Sequence, residues 1–105
     1  MKMIKTSIVA IGMAGMLLGA VVVSADGAAL YTGKICMTCH GADAKTPIMP
    51  TYPKLAGQNS DYCVQQAKDI RDGKRANGMT AAMKGTVAAV TDDEFKAICD
   101  WTATQ

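Results

Sequence analysis

Two of the four cysteines and the single histidine lie together in the run Cys36-Met37-Thr38-Cys39-His40. Thiols three residues apart on one helical turn can both reach the vinyl groups of one porphyrin. A histidine that directly follows them can supply a nitrogen ligand to the porphyrin iron. The run therefore predicts one covalently attached haem c, with thioether links at Cys36 and Cys39 and with His40 as an iron ligand.

Two other uses of a Cys-x-x-Cys pair are a redox dithiol and half of a zinc site. A thioredoxin-like dithiol is expected near a strand-helix-strand pattern, and residues 26–105 show no such pattern. A structural zinc site needs two further ligands, but His40 is the only histidine in the chain. Both alternatives therefore fit the sequence less well than haem does.

The first quarter of the 105-residue chain has the layout of a secretory signal peptide. Lys2 and Lys5 precede an apolar run from Ile8 to Val23, and small residues end this run at Ala25. We expect residues 1–25 to be cleaved, which leaves residues 26–105 as one periplasmic domain with no stable membrane insertion. A retained anchor is the alternative, but a span needs ~20 apolar residues and glycines interrupt this run.

The charge of the chain gives no support for binding to nucleic acid. Lys and Arg number 11 and Asp and Glu number 9, which gives a formal net charge of +2. Loss of Lys2 and Lys5 with the leader would make the mature polypeptide formally neutral. We therefore expect no nucleic-acid partner.

Helical signals dominate residues 26–105. Asp26 is expected to cap a first helix that continues through the Cys36 turn to His40, where Gly41 ends it. A second helix is expected from Asn59 or Ser60 to about Asp72. The sequence shows no strand pattern, so it predicts a small all-α domain.

Two further segments complete the helical pattern. Met79 to Val90 is rich in alanine, and Gly85 is expected to break any single long helix there. The last helix has the clearest start, because Thr91-Asp92-Asp93-Glu94 forms a capping box with acidic residues at the positive helix end.

Between the first two predicted helices, residues 42–58 contain three prolines, which forbid a regular helix. The same stretch carries Ile48, Met49, Tyr52 and Leu55. We expect this apolar loop to lie over the haem.

The order of four motifs resembles that of class I c-type cytochromes over essentially all of residues 26–105. The closest resemblance is to small bacterial periplasmic monohaem cytochromes c and to the half-domains of dihaem periplasmic cytochromes. It implies the class I cytochrome c fold, with about four helices packed around one covalently attached haem. The motifs are Cys36-Met37-Thr38-Cys39-His40-Gly41, Tyr52-Pro53-Lys54-Leu55-Ala56-Gly57-Gln58, Asp72-Gly73-Lys74-Arg75-Ala76-Asn77, and Met83 ahead of the Thr91 helix start.

The resemblance also implies a methionine as the sixth iron ligand. Met83 matches the family spacing to the last helix, and Met79 is the alternative. The resemblance further implies that the Pro47 carbonyl accepts the proton on the second imidazole nitrogen of His40, although Pro47 could instead only stiffen the loop. Tyr52 and Leu55 are expected to line the haem, with ordinary loop packing as the alternative for Tyr52.

Cys63 and Cys99 depart from the family pattern, which usually has small or aliphatic core residues at these positions. Each lies on the apolar face of a predicted helix. An exported protein meets an oxidising environment, so a disulfide between them is chemically permitted. The alternative is two buried thiols that never meet.

If His40 and a methionine both bind iron, no position is open for a substrate, and methionine ligation raises the reduction potential. The expected function is therefore one-electron transfer between transient redox partner proteins, a respiratory or dehydrogenase donor and an oxidase or reductase acceptor, and not enzymatic catalysis. Two alternatives are an electron-transfer subunit of a larger dehydrogenase and a haem enzyme or gas-binding protein with an open sixth position.

Overall fold

The computed structural model describes residues 26–105, so the predicted leader of residues 1–25 lies outside the described residues. Within this range the chain forms five helices and no strand, which confirms the predicted all-α fold. None of these helices is long and apolar enough to cross a membrane. The helices are α1 (Gly27–Gly33), α2 (Met37–His40), α3 (Ser60–Arg71), α4 (Thr80–Val87) and α5 (Asp92–Ala103).

Three helix starts follow directly from polar capping residues. The Asp26 carboxylate accepts hydrogen bonds from the first backbone N–H groups of α1, and the Asn59 side chain accepts one from the Tyr62 N–H at 2.9 Å. At α5, the Thr91 hydroxyl accepts from the Glu94 N–H at 3.2 Å, and the Glu94 carboxylate accepts from the Thr91 N–H at 3.0 Å. The predicted capping box and the start of α3 are confirmed.

The prediction of one helix from Asp26 to His40 is wrong, because the chain turns between α1 and α2. Ile35 has a φ of 57°, in the left-handed region, and the Cys36 N–H donates to the Tyr31 carbonyl at 3.0 Å. A β-branched residue rarely adopts this conformation, so the local sequence gives no warning of the turn. The turn redirects the chain before the attachment motif begins.

The expectation that Gly85 breaks the helix before α5 is also wrong, since Gly85 lies inside α4. A glycine in a helix interior costs only about 1 kcal/mol relative to alanine. Val87, the last residue of α4, and Val90, three residues later, are each 3% exposed. Burial of these side chains offsets the cost of the glycine.

Helix α5 lies at the centre of the fold and packs against both α1 and α3, while α4 packs on α3. Gly27 permits the close approach of α1, because a Cβ atom there would overlap the backbone carbonyl of Ala97 and lie 2.6 Å from the Trp101 Cβ. Next to this crossing, the rings of Tyr31 and Trp101 have centroids 5.0 Å apart. The buried side chains at the centre include Tyr31, Ile70, Val87, Val90, Phe95 and Ile98.

Cys63 on α3 and Cys99 on α5 face each other with a Cα–Cα separation of 5.8 Å. Cys99 is 2% exposed. Ser60, one helical turn before Cys63, donates a hydrogen bond from its hydroxyl to the carboxylate of Asp100, the neighbour of Cys99. The two cysteines that the sequence left either paired or separate therefore lie together in the fold.

Candidate haem site

The attachment motif occupies one short helical turn. Cys36 lies at the N-terminal boundary of α2, and its carbonyl accepts from the Cys39 N–H at 3.3 Å and from the His40 N–H at 3.1 Å. Cys36 and Cys39 are both free thiols with intermediate burial. The turn brings together the two thiols and the imidazole that were predicted from the sequence to bind the haem.

The orientation of His40 is set by one hydrogen bond. The side chain is 7% exposed, and its Nδ1 atom lies 2.8 Å from the Pro53 carbonyl oxygen. A carbonyl can only accept, so Nδ1 carries a proton and donates it, which leaves Nε2 as the nitrogen whose lone pair can bind a metal. Among residues 26–105, the side-chain hydrogen bond of His40 is the one at Nδ1. This tautomer is the one that can bind a metal through Nε2.

The prediction that the Pro47 carbonyl accepts the proton of the His40 imidazole is wrong, because the Pro53 carbonyl accepts it instead. The reason is the path of the loop. The Ile48 N–H donates to the Cys39 carbonyl at 3.1 Å, so the chain around Pro47 is tied back to α2. The chain reaches the imidazole of His40 only later, in the Tyr52-Pro53 stretch.

Ala44 organises the return of this loop, a role that the sequence did not reveal. Ala44 is fully buried, and its carbonyl accepts from the N–H groups of Leu55 at 2.9 Å and Ala56 at 3.0 Å. Its φ of 62° is in the left-handed region. These bonds hold the residues that follow Pro53, and thereby place its carbonyl beside the imidazole. The available signal in the sequence was the Tyr52-Pro53-Lys54-Leu55 motif, which lies in this loop.

Tyr31 connects α1 to the end of the attachment turn. Its hydroxyl donates to the Gly41 carbonyl at 2.6 Å, and its side chain is fully buried. Burial, with smaller contributions from the nearby acidic groups Cys36 and Asp43, raises the pKa of Tyr31 to about 12. The hydroxyl therefore stays protonated and keeps its hydrogen bond at neutral pH.

The two candidate methionine ligands differ in their surroundings. Met83 lies within α4 and packs, partly buried, against the hydrophobic core. Met79 lies at the N-terminal boundary of α4 and is 54% exposed. Of the predicted loop contacts, Leu55 also packs against the core, and Tyr52 is half-buried.

The side chains of Cys36, Cys39 and His40 fit a haem better than they fit a redox dithiol or a zinc site. Burial raises the pKa of the Cys36 thiol, whereas a reactive dithiol depends on a lowered pKa. Within residues 26–105 no cluster of three or more His, Cys, Asp or Glu side chains could hold a metal ion. Apolar side chains near the motif, including Ile35, Ile48 and Met49, are exposed, as expected for a surface that a large apolar group covers.

Comparison with known proteins agrees with this geometry. The sequence model of the Cytochrome c family matches residues 24–104. The "Thiosulfate dehydrogenase electron acceptor" of Stutzerimonas stutzeri strain A1501 is 36% identical over 94 residues, covering 83% of this chain and 42% of the relative. Cytochrome c4 of Pseudomonas aeruginosa PAO1 is 39% identical over 71 residues, covering 68% of this chain and 33% of the relative.

A shorter relative matches over more of its own length. Cytochrome c-553 of Nitratidesulfovibrio vulgaris strain Miyazaki F is 37% identical over 78 residues, or 74% of each chain. The chain thus spans less than half of the first two relatives and about three quarters of the third. The family match covers the attachment turn, the Pro53 loop and all five helices, so the chain belongs to the cytochrome c family, as a class I c-type cytochrome that carries one covalently attached haem.

Proposed function

We propose that this chain is a periplasmic one-electron carrier whose haem iron is bound by His40 and Met83. The observation that carries the proposal is the hydrogen bond from His40 Nδ1 to the Pro53 carbonyl, which leaves Nε2 as the ligand atom. When bound, the haem supplies the one-electron couple. Cys36 and Cys39 would hold it covalently, and the hydrogen bond to Pro53 would keep the imidazole in one orientation.

The burial of the methionines favours Met83 over Met79 as the second iron ligand. A ligand must be shielded from water, and Met83 is packed against the core while Met79 is 54% exposed. A thioether ligand raises the reduction potential and fills the position that an enzyme would leave open. The proposed pair of ligands therefore favours a carrier over a haem enzyme or a gas-binding protein.

Visible absorption spectra of the ferric and ferrous holoprotein, recorded with and without carbon monoxide, test this ligation. The wild-type protein should show a weak far-red band from sulfur-bound ferric iron and should resist carbon monoxide. Met83→Ala should lose both properties, whereas the matched variant Met79→Ala should retain them. If the wild-type protein binds carbon monoxide readily, the carrier proposal fails. If Met79→Ala loses the band instead, Met79 is the ligand.

The proposed partners are a dehydrogenase or respiratory donor and an oxidase or reductase acceptor, met through short-lived contacts. One relative is named as an electron acceptor of thiosulfate dehydrogenase, which supports a dehydrogenase as donor. The same similarity favours a second candidate, a fixed electron-transfer subunit of a dehydrogenase. Gel filtration of the native protein separates the two, because a diffusing carrier elutes alone and a subunit elutes with its enzyme.

Export of residues 26–105 after removal of residues 1–25 is part of the same proposal. It is supported by the two leader lysines, by the apolar run and by the small residues before Asp26. N-terminal sequencing of the protein from the periplasmic fraction should begin at Asp26. A mature protein that retains Met1 and stays with the membrane fraction would instead support an anchor.

We also propose that Cys63 and Cys99 form a disulfide in the exported protein. Their Cα–Cα separation of 5.8 Å is within the usual range for a disulfide. The two thiols would lose two electrons and two protons to a disulfide-bearing thiol oxidoreductase of the exported compartment. Alkylation of the denatured holoprotein should label neither cysteine until a reductant is added. Labelling without reductant would contradict the disulfide.

A further inference from the structure

The segment that carries Met83 leaves α3 and returns to α5, so its position depends on how its two ends are held. We call residues 73–91 the methionine segment. At its start, the Arg75 N–H donates to the Asp69 carbonyl at 3.0 Å, and the Arg75 side chain donates to the Gln66 amide oxygen at 3.1 Å. At its end, Val90 is buried. The start of the segment therefore lies against α3, and its end is shielded from solvent.

Arg71, the last residue of α3, joins this helix to the far end of the methionine segment. Its Nη1 atom donates to the Val90 carbonyl at 3.0 Å and lies 2.7 Å from the Asp92 carboxylate. Its Nε atom lies 2.8 Å from the Asp72 carboxylate, and its guanidinium lies over the Phe95 ring, 5.3 Å from the centroid. One side chain at the end of α3 thus contacts the residue that follows this helix, the link between α4 and α5, and α5 itself.

Of the Arg71 contacts, the hydrogen bond to the Val90 carbonyl is part-buried, whereas the hydrogen bonds to Asp72 are exposed to solvent. The Arg71 side chain is 17% exposed, so water competes weakly for its donors. Hydrogen bonds from Arg71 lower the pKa of both Asp92 and Asp72. Both carboxylates are therefore ionised at neutral pH, which makes their hydrogen bonds to the guanidinium charge-assisted.

At the N-terminus of α4, the Thr80 N–H and hydroxyl both donate to the Asn77 carbonyl, so these hydrogen bonds lie within the methionine segment itself. Met79 occupies the N-cap position and makes no side-chain capping hydrogen bond. In contrast, Val87 and Val90 are buried at the other end, where the Arg71 bond lies. Helix α3 itself is held on α5 by packing and by the hydrogen bond between Ser60 and Asp100. The Arg71 side chain therefore extends from α3, which is packed on α5, to the Val90 end of the methionine segment.

We propose that Arg71 is a positioning residue for Met83, which holds the methionine segment closed through its bond to the Val90 carbonyl. This inference rests on the proposed ligation by Met83. Arginine suits the role because its planar guanidinium can donate to a carbonyl and to two carboxylates at the same time. A lysine would keep the charge but lose this arrangement of donors.

The rate of carbon monoxide binding to the ferrous holoprotein measures how often the methionine segment opens, because carbon monoxide can enter only when the sulfur leaves the iron. Arg71→Gln should bind carbon monoxide about tenfold faster than wild type or more, since it loses charge-assisted hydrogen bonds to a partly buried site. Arg71→Lys should give an intermediate rate. Both variants should keep the far-red band at neutral pH, because Met83 itself is unchanged.

Two control variants separate positioning from general stability. Asp72→Asn removes one partner of Arg71 but leaves the Val90 bond, and Lys34→Gln removes the ion pair of 3.2 Å between Lys34 and Glu94 on α5. Both should bind carbon monoxide within about twofold of wild type, because surface ion pairs contribute little. If Lys34→Gln accelerates binding as much as Arg71→Gln does, the effect is general loosening and the inference is overturned.

The same data distinguish failure of this inference from failure of the ligation on which it rests. If wild type and Met83→Ala bind carbon monoxide equally fast, Met83 is not the ligand and both proposals fall. If Met83→Ala is fast while wild type and Arg71→Gln are equally slow, Met83 is the ligand and only the role of Arg71 is refuted. Should Arg71→Gln fail to fold, Arg71→Lys decides the question by the same comparison.

Discussion

The crossing of α1 and α5 depends on a residue without a side chain at position 27. A methyl group added at Gly27 would overlap the backbone carbonyl of Ala97 and lie 2.6 Å from the Trp101 Cβ. A backbone carbonyl in a central helix cannot rotate away, so the helices must separate to accommodate the change. Gly27→Ala is therefore expected to destabilise the holoprotein even though alanine is the better helix former.

The size of this effect follows from two opposing contributions. Overpacking of a close contact typically costs 1–3 kcal/mol, and replacing glycine by alanine recovers about 0.4–1 kcal/mol from the unfolded state. With central values of about 2 and about 0.7 kcal/mol for these contributions, the net loss is about 1.3 kcal/mol in the free energy of unfolding. For a domain of this size, that loss lowers the Tm by roughly 5–10 °C.

Gly33, at the other end of the same helix, provides a matched control. A Cβ atom there would have no neighbour within 4 Å, so Gly33→Ala should leave stability unchanged or raise it by up to about 1 kcal/mol. Denaturant unfolding of the ferric holoproteins, followed by far-ultraviolet circular dichroism, compares the variants. Equal midpoints for Gly27→Ala and Gly33→Ala would refute the argument from the helix crossing.

Three further predictions concern the connections around the core. Replacing both Cys63 and Cys99 by alanine should lower the free energy of unfolding by about 3–4 kcal/mol in the chain-entropy account of a disulfide, measured by denaturant unfolding; no difference from wild type in the absence of reductant would contradict the proposed disulfide. The pKa of Tyr31 is raised from 10.0 in the unfolded chain to about 12 in the folded protein. The contribution of Tyr31 to the free energy of unfolding is therefore complete below pH ~10 and is lost as the pH rises to about 12. Wild type should therefore lose stability more steeply than Tyr31→Phe over that interval, and parallel curves of denaturation midpoint against pH would exclude this role. Thr91→Ala removes the hydroxyl that caps α5 and should cost about 0.5–2 kcal/mol, whereas a midpoint unchanged from wild type would mean that the cap is dispensable.

Local sequence was sufficient where the determining interactions are short in range. The cysteines and histidine of the attachment motif lie within one helical turn, so their spacing alone predicted the haem and both thioether positions. The capping box at Thr91 and the cap at Asn59 likewise join residues that are three positions apart in the sequence. The starts of α5 and α3 were therefore predicted correctly. The all-α class followed from the same periodic patterns.

Features that depend on the path of the chain through space were predicted poorly or not at all. The helix break at Ile35 uses a backbone conformation that its residue type disfavours. The turn at Ala44 likewise has no signal in the sequence, yet it brings Pro53, and not Pro47, to the imidazole. Sequence distance from His40 was a misleading guide to spatial distance.

The sequence alone therefore determined the cofactor, the fold class and the candidate ligands of the iron, because these are encoded by residue types at short, regular spacings. Only the tertiary structure decided which carbonyl orients His40, that Cys63 meets Cys99, and that Arg71 reaches Val90. Each of these contacts joins residues that are separated by a loop or by a whole helix. Their formation depends on the packing of α5 against its neighbours, which local patterns do not encode.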